Sequence, residues 1–309
     1  MRAKQLVVFA ALVAMWWAVP SLGAAHSFAP ANPQQLNDRE RLTAARFRLD
    51  RNRGLLLTVW INDRGPYLFA IDTGAGMNLI TQGVATASGL TIRNVHPVSL
   101  GGLSGALSTT SREATIPRLA LGDRRNSIRE AKTAMVVPFL ASGLDGILDP
   151  IDVYAPFGFS IDMPNRQIEP SDNLDSSNRS VEGAVVPWLR IGSSARPFVR
   201  LGDGRLALVD TGSGFGLAVN GRNAVILNSR NQRQQPITRD VAGGSISSRR
   251  VAPTTISIGA LVLRSVPTDI LFGITDDAPV ILGRDLLYPF KLTFNPQRRL
   301  IEFTASNGS

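Results

Sequence analysis

The chain contains no cysteine and only two histidines, His26 and His96. Without cysteine there are no disulfides, no thiol nucleophile and no cysteine for lipid attachment. The same scarcity excludes zinc sites of the histidine and cysteine type, and we expect neither a metal nor a cofactor. A serine triad would depend on His96, yet the sequence has no Gly-x-Ser-x-Gly element and no phosphate-binding loop. Carboxylates are the main catalytic residue type left.

Lysine is also scarce, because Lys4, Lys132 and Lys291 are the only three, so the net charge of +9 comes from arginine. A nucleic-acid-binding surface typically combines a basic stripe with aromatic side chains. Here the arginines are scattered, and the densest group, from Arg222 to Arg250, contains no aromatic residue. We therefore expect no nucleic-acid partner and interpret the arginines as a solvated surface.

The N-terminal segment has the pattern of a signal peptide. Arg2 and Lys4 precede an apolar run from Leu6 to Val19, and small residues follow up to Ala25. The run is short for a transmembrane span, so we predict a signal peptide at 1–25, with export to the periplasm or secretion and no membrane span after cleavage. An uncleaved anchor is the alternative. We expect residues 26–46 to form a mobile leader, or else a short propeptide.

A motif of the form Asp-Thr-Gly-small occurs twice, 138 positions apart, each time after an apolar run. A run of strand-forming residues that ends in an acid, followed by glycine, holds a carboxylate at a fixed strand end. Two such acids, one in each half of the chain, indicate a paired carboxylate site. The motif residues are Asp72, Thr73, Gly74 and Ala75 in the first copy, and Asp210, Thr211, Gly212 and Ser213 in the second.

The surroundings of the two motifs repeat as well. Each motif follows a pattern of strand, turn and strand, and each is followed by a Gly-Gly pair, at Gly101-Gly102 and Gly243-Gly244. Each half then closes with a hairpin pattern, Phe157 to Glu169 in the first and Phe290 to Glu302 in the second. Matching helix patterns follow the motifs, at Thr81 to Ser88 and at Asn220 to Ser229. Self-similarity of this length indicates two copies of one fold.

The repeated motif resembles the signature of the aspartic peptidases, in the pepsin and retropepsin families, over about residues 47–303. The likeness is greatest to bacterial single-chain, two-lobe enzymes of the retropepsin type. It implies a mostly β fold, with two homologous β-barrel lobes and a cleft between them. It also implies that Asp72 and Asp210 are catalytic, that Thr73 and Thr211 cross-brace the two loops, and that Gly74 and Gly212 let N–H groups approach the carboxylates.

Further features follow from the resemblance. The two Gly-Gly pairs are candidates for flaps over the cleft, although no tyrosine occupies the first. Gly283 matches a glycine that supports the active-site loop in the family, whereas Asp149 stands at the corresponding place in the first half. Either the first loop is supported differently, or another residue such as Gly146 has this role. We also expect Ser213 to donate its hydroxyl to Asp210, which would make Asp72 the more readily protonated acid.

These observations predict an aspartic endopeptidase that acts on polypeptides by activating a water between the two acids. The alternative is an exported peptide-binding protein that keeps the cleft with little or no turnover. We predict an N-terminal lobe at 47–169, a linker at 170–183 and a C-terminal lobe at 184–309. Because one chain supplies both motifs, we expect a monomer and disfavour a homodimer with a shared site.

Overall fold

The computed structural model describes residues 42–128, 130–140, 143–171, 183–192, 194–221, 238–239 and 243–305. The predicted signal peptide lies outside the described residues, as do most of the leader and most of the linker. The second predicted helix also falls almost wholly outside them, since 222–229 are not described. No helix within the described ranges is long and apolar enough to cross a membrane.

The described part of the chain is mostly β, with three short helices: α1 (Gln82–Ala87), α2 (Pro150–Tyr154) and α3 (Arg284–Leu287). The strands of the first half are β1 (Ala45–Arg46), β2 (Arg48–Asp50), β3 (Gly54–Ile61), β4 (Arg64–Ile71), β5 (Asn78–Thr81), β6 (Ile92–Gly101), β7 (Leu107–Ile116), β8 (Leu119–Leu121), β9 (Ser127–Ile128), β10 (Lys132–Val137), β11 (Gly146–Leu148), β12 (Phe159–Asp162) and β13 (Gln167–Pro170). Those of the second half are β14 (Gly183–Pro187), β15 (Phe198–Arg200), β16 (Leu206–Val209), β17 (Leu217–Asn220), β18 (Thr238–Arg239), β19 (Ser245–Ile258), β20 (Leu261–Phe272), β21 (Val280–Leu282), β22 (Phe290–Asn295) and β23 (Leu300–Ala305).

The strands form three sheets. Ten strands of the first half make one sheet in the order β6-β7-β10-β5-β11-β4-β3-β8-β9, with β2 paired to β3. Seven strands of the second half make another, in the order β15-β16-β21-β17-β20-β19-β18. The third sheet takes strands from both halves, in the order β1-β13-β12-β22-β23-β14. The predicted mostly β fold with two β-barrel lobes is confirmed.

The two halves share one pairing pattern around the strand that leads to the aspartate. In the first half β4 pairs antiparallel with β3 and parallel with β11. In the second half β16 pairs antiparallel with β15 and parallel with β21. The next strand, β5 or β17, pairs antiparallel with the same parallel neighbour. Each half therefore places its aspartate at the end of a strand that has partners on both sides.

The hairpin of β3 and β4 shows how the sequence forms this arrangement. Leu55, Leu57 and Val59 alternate along β3 and are fully buried, which fixes the face that this strand turns to the core. The turn lies at Asn62 and Asp63, whose φ angles of 50° and 62° are in the left-handed region. Asparagine and aspartate tolerate this region, and a two-residue turn of this kind matches the twist of the strands.

The predicted helix after the first motif is confirmed as α1. Thr81 caps its N-terminus, since the side chain of Thr81 accepts a hydrogen bond from the N–H of Val84. Ser88 ends the helix, and Gly89 follows with a φ of 64°, the left-handed conformation that commonly stops a helix. The predicted range, Thr81 to Ser88, is therefore this helix together with its two capping residues.

The main hydrophobic core joins the two halves through the shared sheet. Phe159 of β12 stacks on Phe294 of β22 with ring centroids 4.7 Å apart, and Trp188 meets Phe294 edge-on at 6.1 Å. Both phenylalanines are fully buried. These three aromatic rings stabilise the junction between the halves by burying a large apolar area.

A strand lies within the segment predicted as a mobile leader, 26–46. Ala45 and Arg46 form β1, which pairs with Ile168 and Gln167 of β13, so these two residues are ordered. Ala45 is buried, and this burial offsets the conformational entropy lost by ordering the strand. A two-residue strand has no periodicity that a sequence pattern could show.

Gly146 on β11 provides a test of the packing that holds β4 in place. A Cβ at this position would lie 2.0 Å from the ring of the fully buried Phe69. We predict that Gly146→Ala lowers the free energy of unfolding by about 1–3 kcal/mol, because the ring has no room to move. Urea denaturation followed by circular dichroism measures this change.

Gly83→Ala in α1 is the matched control, since the nearest atom to its added Cβ is 4.0 Å away. Alanine also favours the helix by up to about 1 kcal/mol relative to glycine. Equal stability losses in the two variants would contradict the close packing of Gly146 against Phe69.

Candidate active site

The two motif aspartates are held by equivalent main-chain bonds. Asp72 follows β4, and its N–H donates to the carbonyl of Leu148 on β11 at 3.0 Å. Asp210 follows β16, and its N–H donates to the carbonyl of Leu282 on β21 at 2.9 Å. The parallel strand that lies beside each aspartate-bearing strand thus fixes the point where the carboxylate leaves the sheet.

The structure brings the two motifs together. A Cβ on Gly74 would lie 2.8 Å from the carboxyl carbon of Asp210, and a Cβ on Gly212 would lie 2.4 Å from that of Asp72. Each motif glycine therefore abuts the carboxyl group of the opposite half, and any side chain there would push the acid away.

Reciprocal hydrogen bonds between two threonines lock the loops together. The N–H of Thr73 donates to Oγ1 of Thr211, and the N–H of Thr211 donates to Oγ1 of Thr73, both at 3.1 Å. The Thr73 hydroxyl donates to the carbonyl of Val209 at 2.7 Å, and the Thr211 hydroxyl donates to that of Ile71 at 3.3 Å. Both threonines are 0% exposed, so water does not compete for these four bonds.

Backbone N–H groups of the loops reach the carboxylates. The N–H of Gly74 donates to Oδ1 of Asp72 at 2.7 Å. Oδ1 of Asp210 accepts two such bonds, from Gly212 at 2.9 Å and from Ser213 at 3.0 Å. These donors fix the orientation of each carboxyl group and stabilise negative charge on it.

The expectation for the Ser213 hydroxyl was wrong. The hydroxyl is buried and has no hydrogen-bond partner among the described residues, and Ser213 reaches Asp210 through its backbone N–H instead. Any small residue could supply the same N–H group. The hydroxyl therefore gives no reason to make Asp72 the more readily protonated acid, and the proton belongs to the pair.

The environment of the pair favours one bound proton. Burial and then the negative charge of Asp72 raise the pKa of Asp210 to about 8, with a contribution from the hydrogen bond between the two carboxyl groups. Two adjacent carboxylates cannot both ionise without strong repulsion. One proton therefore stays between them at neutral pH.

A buried arginine that the sequence reasoning missed supports the second loop. Arg284, the first residue of α3, donates to the carbonyls of Thr211 and Gly212, and across to the carbonyl of Arg51 in the first half. Burial lowers the pKa of this guanidinium, although both motif aspartates oppose that effect. The sequence feature that could have identified Arg284 is its position directly after Gly283, in the element that matches the family.

The first half has an acid at the place of Gly283. Asp149 is 2% exposed and caps α2, where its Oδ1 accepts a bond from the N–H of Ile151 at 3.0 Å. Burial, followed by the charges of Asp72 and Asp152, raises the pKa of Asp149 to about 7. Gly146 does not replace the family glycine, because it lies three residues earlier, beside Phe69.

A second arginine reaches the first loop from the other half. Nη2 of Arg196 donates to the carbonyl of Ala75 at 3.3 Å, and the same side chain packs against Gly76. A Cβ on Gly76 would lie 3.0 Å from Nε of Arg196. Both active-site loops are thus contacted by a guanidinium that also joins the halves.

The candidate flap of the first half is the hairpin of β6 and β7, with Gly101 at the end of β6 and Gly102 in the tip. Its tip contacts the second half, because the carbonyl of Leu103 accepts a bond from the N–H of Thr275 at 3.1 Å. The second Gly-Gly pair lies beside this tip, and a Cβ on Gly244 would overlap Ser104. Gly243 is in the left-handed conformation at the start of the same segment. The two predicted flap segments are therefore neighbours.

Two apolar clusters lie apart from the main core, one in each half. The first contains Ala70 from the strand that leads to Asp72, together with Leu56, Leu79 and Ile147. The second contains Ala218, Ile246, Leu271 and Ile281, with Leu103 of the first hairpin packed against it. Among the residues that the structure describes, no group of three or more acids or histidines could hold a metal ion.

The hydrogen bonds of Thr73 and Thr211 can be tested by stability measurements, without any assumption about activity. Thr73→Val keeps the shape of the side chain but removes its hydroxyl, leaving the buried N–H of Thr211 and carbonyl of Val209 without a partner. We expect the free energy of unfolding to fall by about 1–3 kcal/mol for each group left unpaired. Thr73→Ser retains the hydroxyl and is the matched control. Equal urea midpoints for the valine and serine variants would contradict a role for the hydroxyl.

Comparison with known proteins supports one family. Residues 57–148 match a family model described as aspartyl protease, and this segment contains the first motif with β4, β5 and β11. A comparison with curated proteins gives no significant match. The match supports an aspartic-type protease, which is a hydrolase, as the general class of this protein.

Proposed function

We propose that the protein is an exported aspartic endopeptidase in which Asp72 and Asp210 activate a water molecule for attack on a peptide bond. One observation carries the proposal: two carboxyl groups from separate halves are brought together, and each abuts the glycine of the opposite loop. The family match to aspartyl proteases supports the general class. Export rests on the pattern of residues 1–25 and the substrate class on the family.

The chemistry follows from one proton shared by two acids. The ionised carboxylate takes a proton from water, and the water oxygen forms a bond to the carbonyl carbon of the peptide. The protonated carboxyl group gives its proton to the carbonyl oxygen, which balances the charge of the tetrahedral intermediate. The first acid then protonates the amine as the carbon–nitrogen bond breaks. The second acid takes back a proton from a hydroxyl of the intermediate, which leaves a carboxylic acid product and restores the pair. No covalent intermediate with the protein is formed.

The rigid support of the loops has a purpose in this mechanism. General acid and base groups must be held within hydrogen-bonding distance of the reacting atoms, and small displacements cost large factors in rate. The threonine bonds, the N–H groups of the loops and the guanidinium of Arg284 fix both carboxyl groups relative to each other. We propose that the hairpin of β6 and β7 covers a bound polypeptide and that one chain forms the complete enzyme.

The first test removes the acids one at a time. Asp72→Asn and Asp210→Asn keep the shape of each side chain but cannot exchange a proton, so we expect each to lower cleavage of a denatured polypeptide by about 100-fold or more. Asp203→Asn is the control, because Asp203 is an exposed acid in the turn before β16. A statine-type transition-state mimic should block the wild-type protein.

The outcomes distinguish a peptidase from a peptide-binding protein. Full turnover in either variant would refute the dyad mechanism. Tight binding of peptides by the wild-type protein, with no cleavage of any polypeptide, would instead identify the exported peptide-binding alternative. Mass spectrometry of the products distinguishes cleavage from binding.

The raised pKa of Asp210 predicts the alkaline limit of activity. The mechanism needs one proton on the pair, and this proton is lost as the pH rises through about 8. We expect kcat/KM to fall with increasing pH above that value, while circular dichroism shows the protein still folded. A rate that is unchanged or rising between about pH 8 and pH 10 would contradict the shared proton.

A further inference from the structure

We propose that Asp149 is a positioning residue for the dyad, whose negative charge extends activity towards alkaline pH by holding the shared proton in place. The role rests on the proposed peptidase function. Asp149 occupies the position that Gly283 has in the second half. It acts through Asp72 and does not contact the substrate.

The first argument is the fixed geometry of Asp149 behind the first loop. The preceding residue, Leu148, accepts the main-chain N–H of Asp72 at 3.0 Å, so Asp149 is one residue away from the bond that anchors the catalytic acid. The N–H of Asp149 donates to Oδ1 of Asn78 at 2.9 Å. With its side chain bonded to the N–H of Ile151, the carboxyl group has little freedom to turn away.

The second argument is the contrast with the second half. A Cβ on Gly283 would lie 2.4 Å from the carbonyl oxygen of Phe215 and 2.9 Å from that of Ser213, so no side chain fits behind the second loop. The next residue, Arg284, places a positive charge there instead. In the first half the acid fits, and the residue after it is the uncharged Pro150. The charges behind the two loops are therefore opposite in sign.

The third argument concerns the charged groups that face Asp149. Asp72 lies on the loop in front of it, and Asp152 lies on its own helix, α2. Arg196 comes from the segment before β15 and favours the ionised form. Lys132, whose ammonium group donates to the main-chain carbonyl of Asp152, faces the far side of the same helix. The two acids and the burial outweigh Arg196, and the pKa of Asp149 is raised to about 7.

The sign of the charge gives the effect its direction. Burial, with the charges of Asp72 and Asp152, raises the pKa of Asp149 to about 7, so this acid is ionised in the alkaline range. Repulsion between like charges is reciprocal, so an ionised Asp149 makes loss of the shared proton less favourable. Below about pH 6 Asp149 is neutral and exerts no such effect. The acidic limit of activity is therefore independent of this residue.

The test is the pH dependence of kcat/KM for Asp149→Asn against wild type. Asparagine keeps an oxygen that accepts the N–H of Ile151, so α2 retains its cap. We expect the alkaline limb to move to lower pH by about half a unit to one unit, with the acidic limb unchanged. Asp203→Asn is the control, since Asp203 is an exposed acid in the turn before β16 that bonds to Arg205, and its loss should leave the limb in place.

A second measurement keeps this inference separate from the proposed function. Carboxyl-carbon NMR of the full protein follows the dyad's titration without any substrate, and Asp149→Asn should lower the pH at which the dyad loses its proton. Unfolding temperatures at pH 5, where Asp149 is neutral, should agree between variant and wild type and so confirm the fold. A protein without peptidase activity would overturn the proposed function and, with it, the role in activity. An unchanged dyad titration, or an alkaline limb that stays in place in an active variant, would overturn the inference about Asp149.

Discussion

The reciprocal hydrogen bonds between Thr73 and Thr211 are the interaction on which the rest of the site depends. They join the two halves directly, and both threonines are fully buried, so water cannot replace these bonds. Because each threonine both donates and accepts, neither loop can move without breaking bonds on both sides. The separation of Asp72 and Asp210 is thus fixed by main-chain and hydroxyl groups, and the acids themselves remain available for proton transfer.

The two halves repeat their strand pairing but differ in what supports each loop. The second loop rests on the guanidinium of Arg284, supplied by its own half. The first loop has an acid in the corresponding position and receives Arg196 from the opposite half. The strand framework and the hydrogen bonds of the motif are therefore repeated, whereas the charged groups that support the two loops are not.

The sequence was sufficient for the features that depend on local patterns. The repeated Asp-Thr-Gly motif, the turn at Asn62 and the boundaries of α1 each follow from residue type and spacing, and the structure has all three in place. Features set by distant contacts were missed. The burial of Asp149, the reach of Arg284 into the second loop and the strand at Ala45 depend on residues more than 70 positions away. The prediction for the Ser213 hydroxyl was wrong for a related reason. The backbone N–H of the same residue makes the bond to Asp210 that the side chain was expected to make.

The pairing of β12 with β22 has a consequence for the symmetry of the molecule. Phe159 faces Phe294, Ser160 faces Thr293 and Ile161 faces Leu292. In the repeat, Phe159 is the counterpart of Leu292, Ser160 that of Thr293 and Ile161 that of Phe294. Exchanging the two hairpins therefore leaves these three partnerships unchanged. This is the geometry of an isologous contact, in which one surface meets a copy of itself around a twofold axis. Because one covalent chain carries both copies, their sequences need not be identical. Asp149 and Gly283 can therefore differ at equivalent positions of a framework that keeps its twofold arrangement.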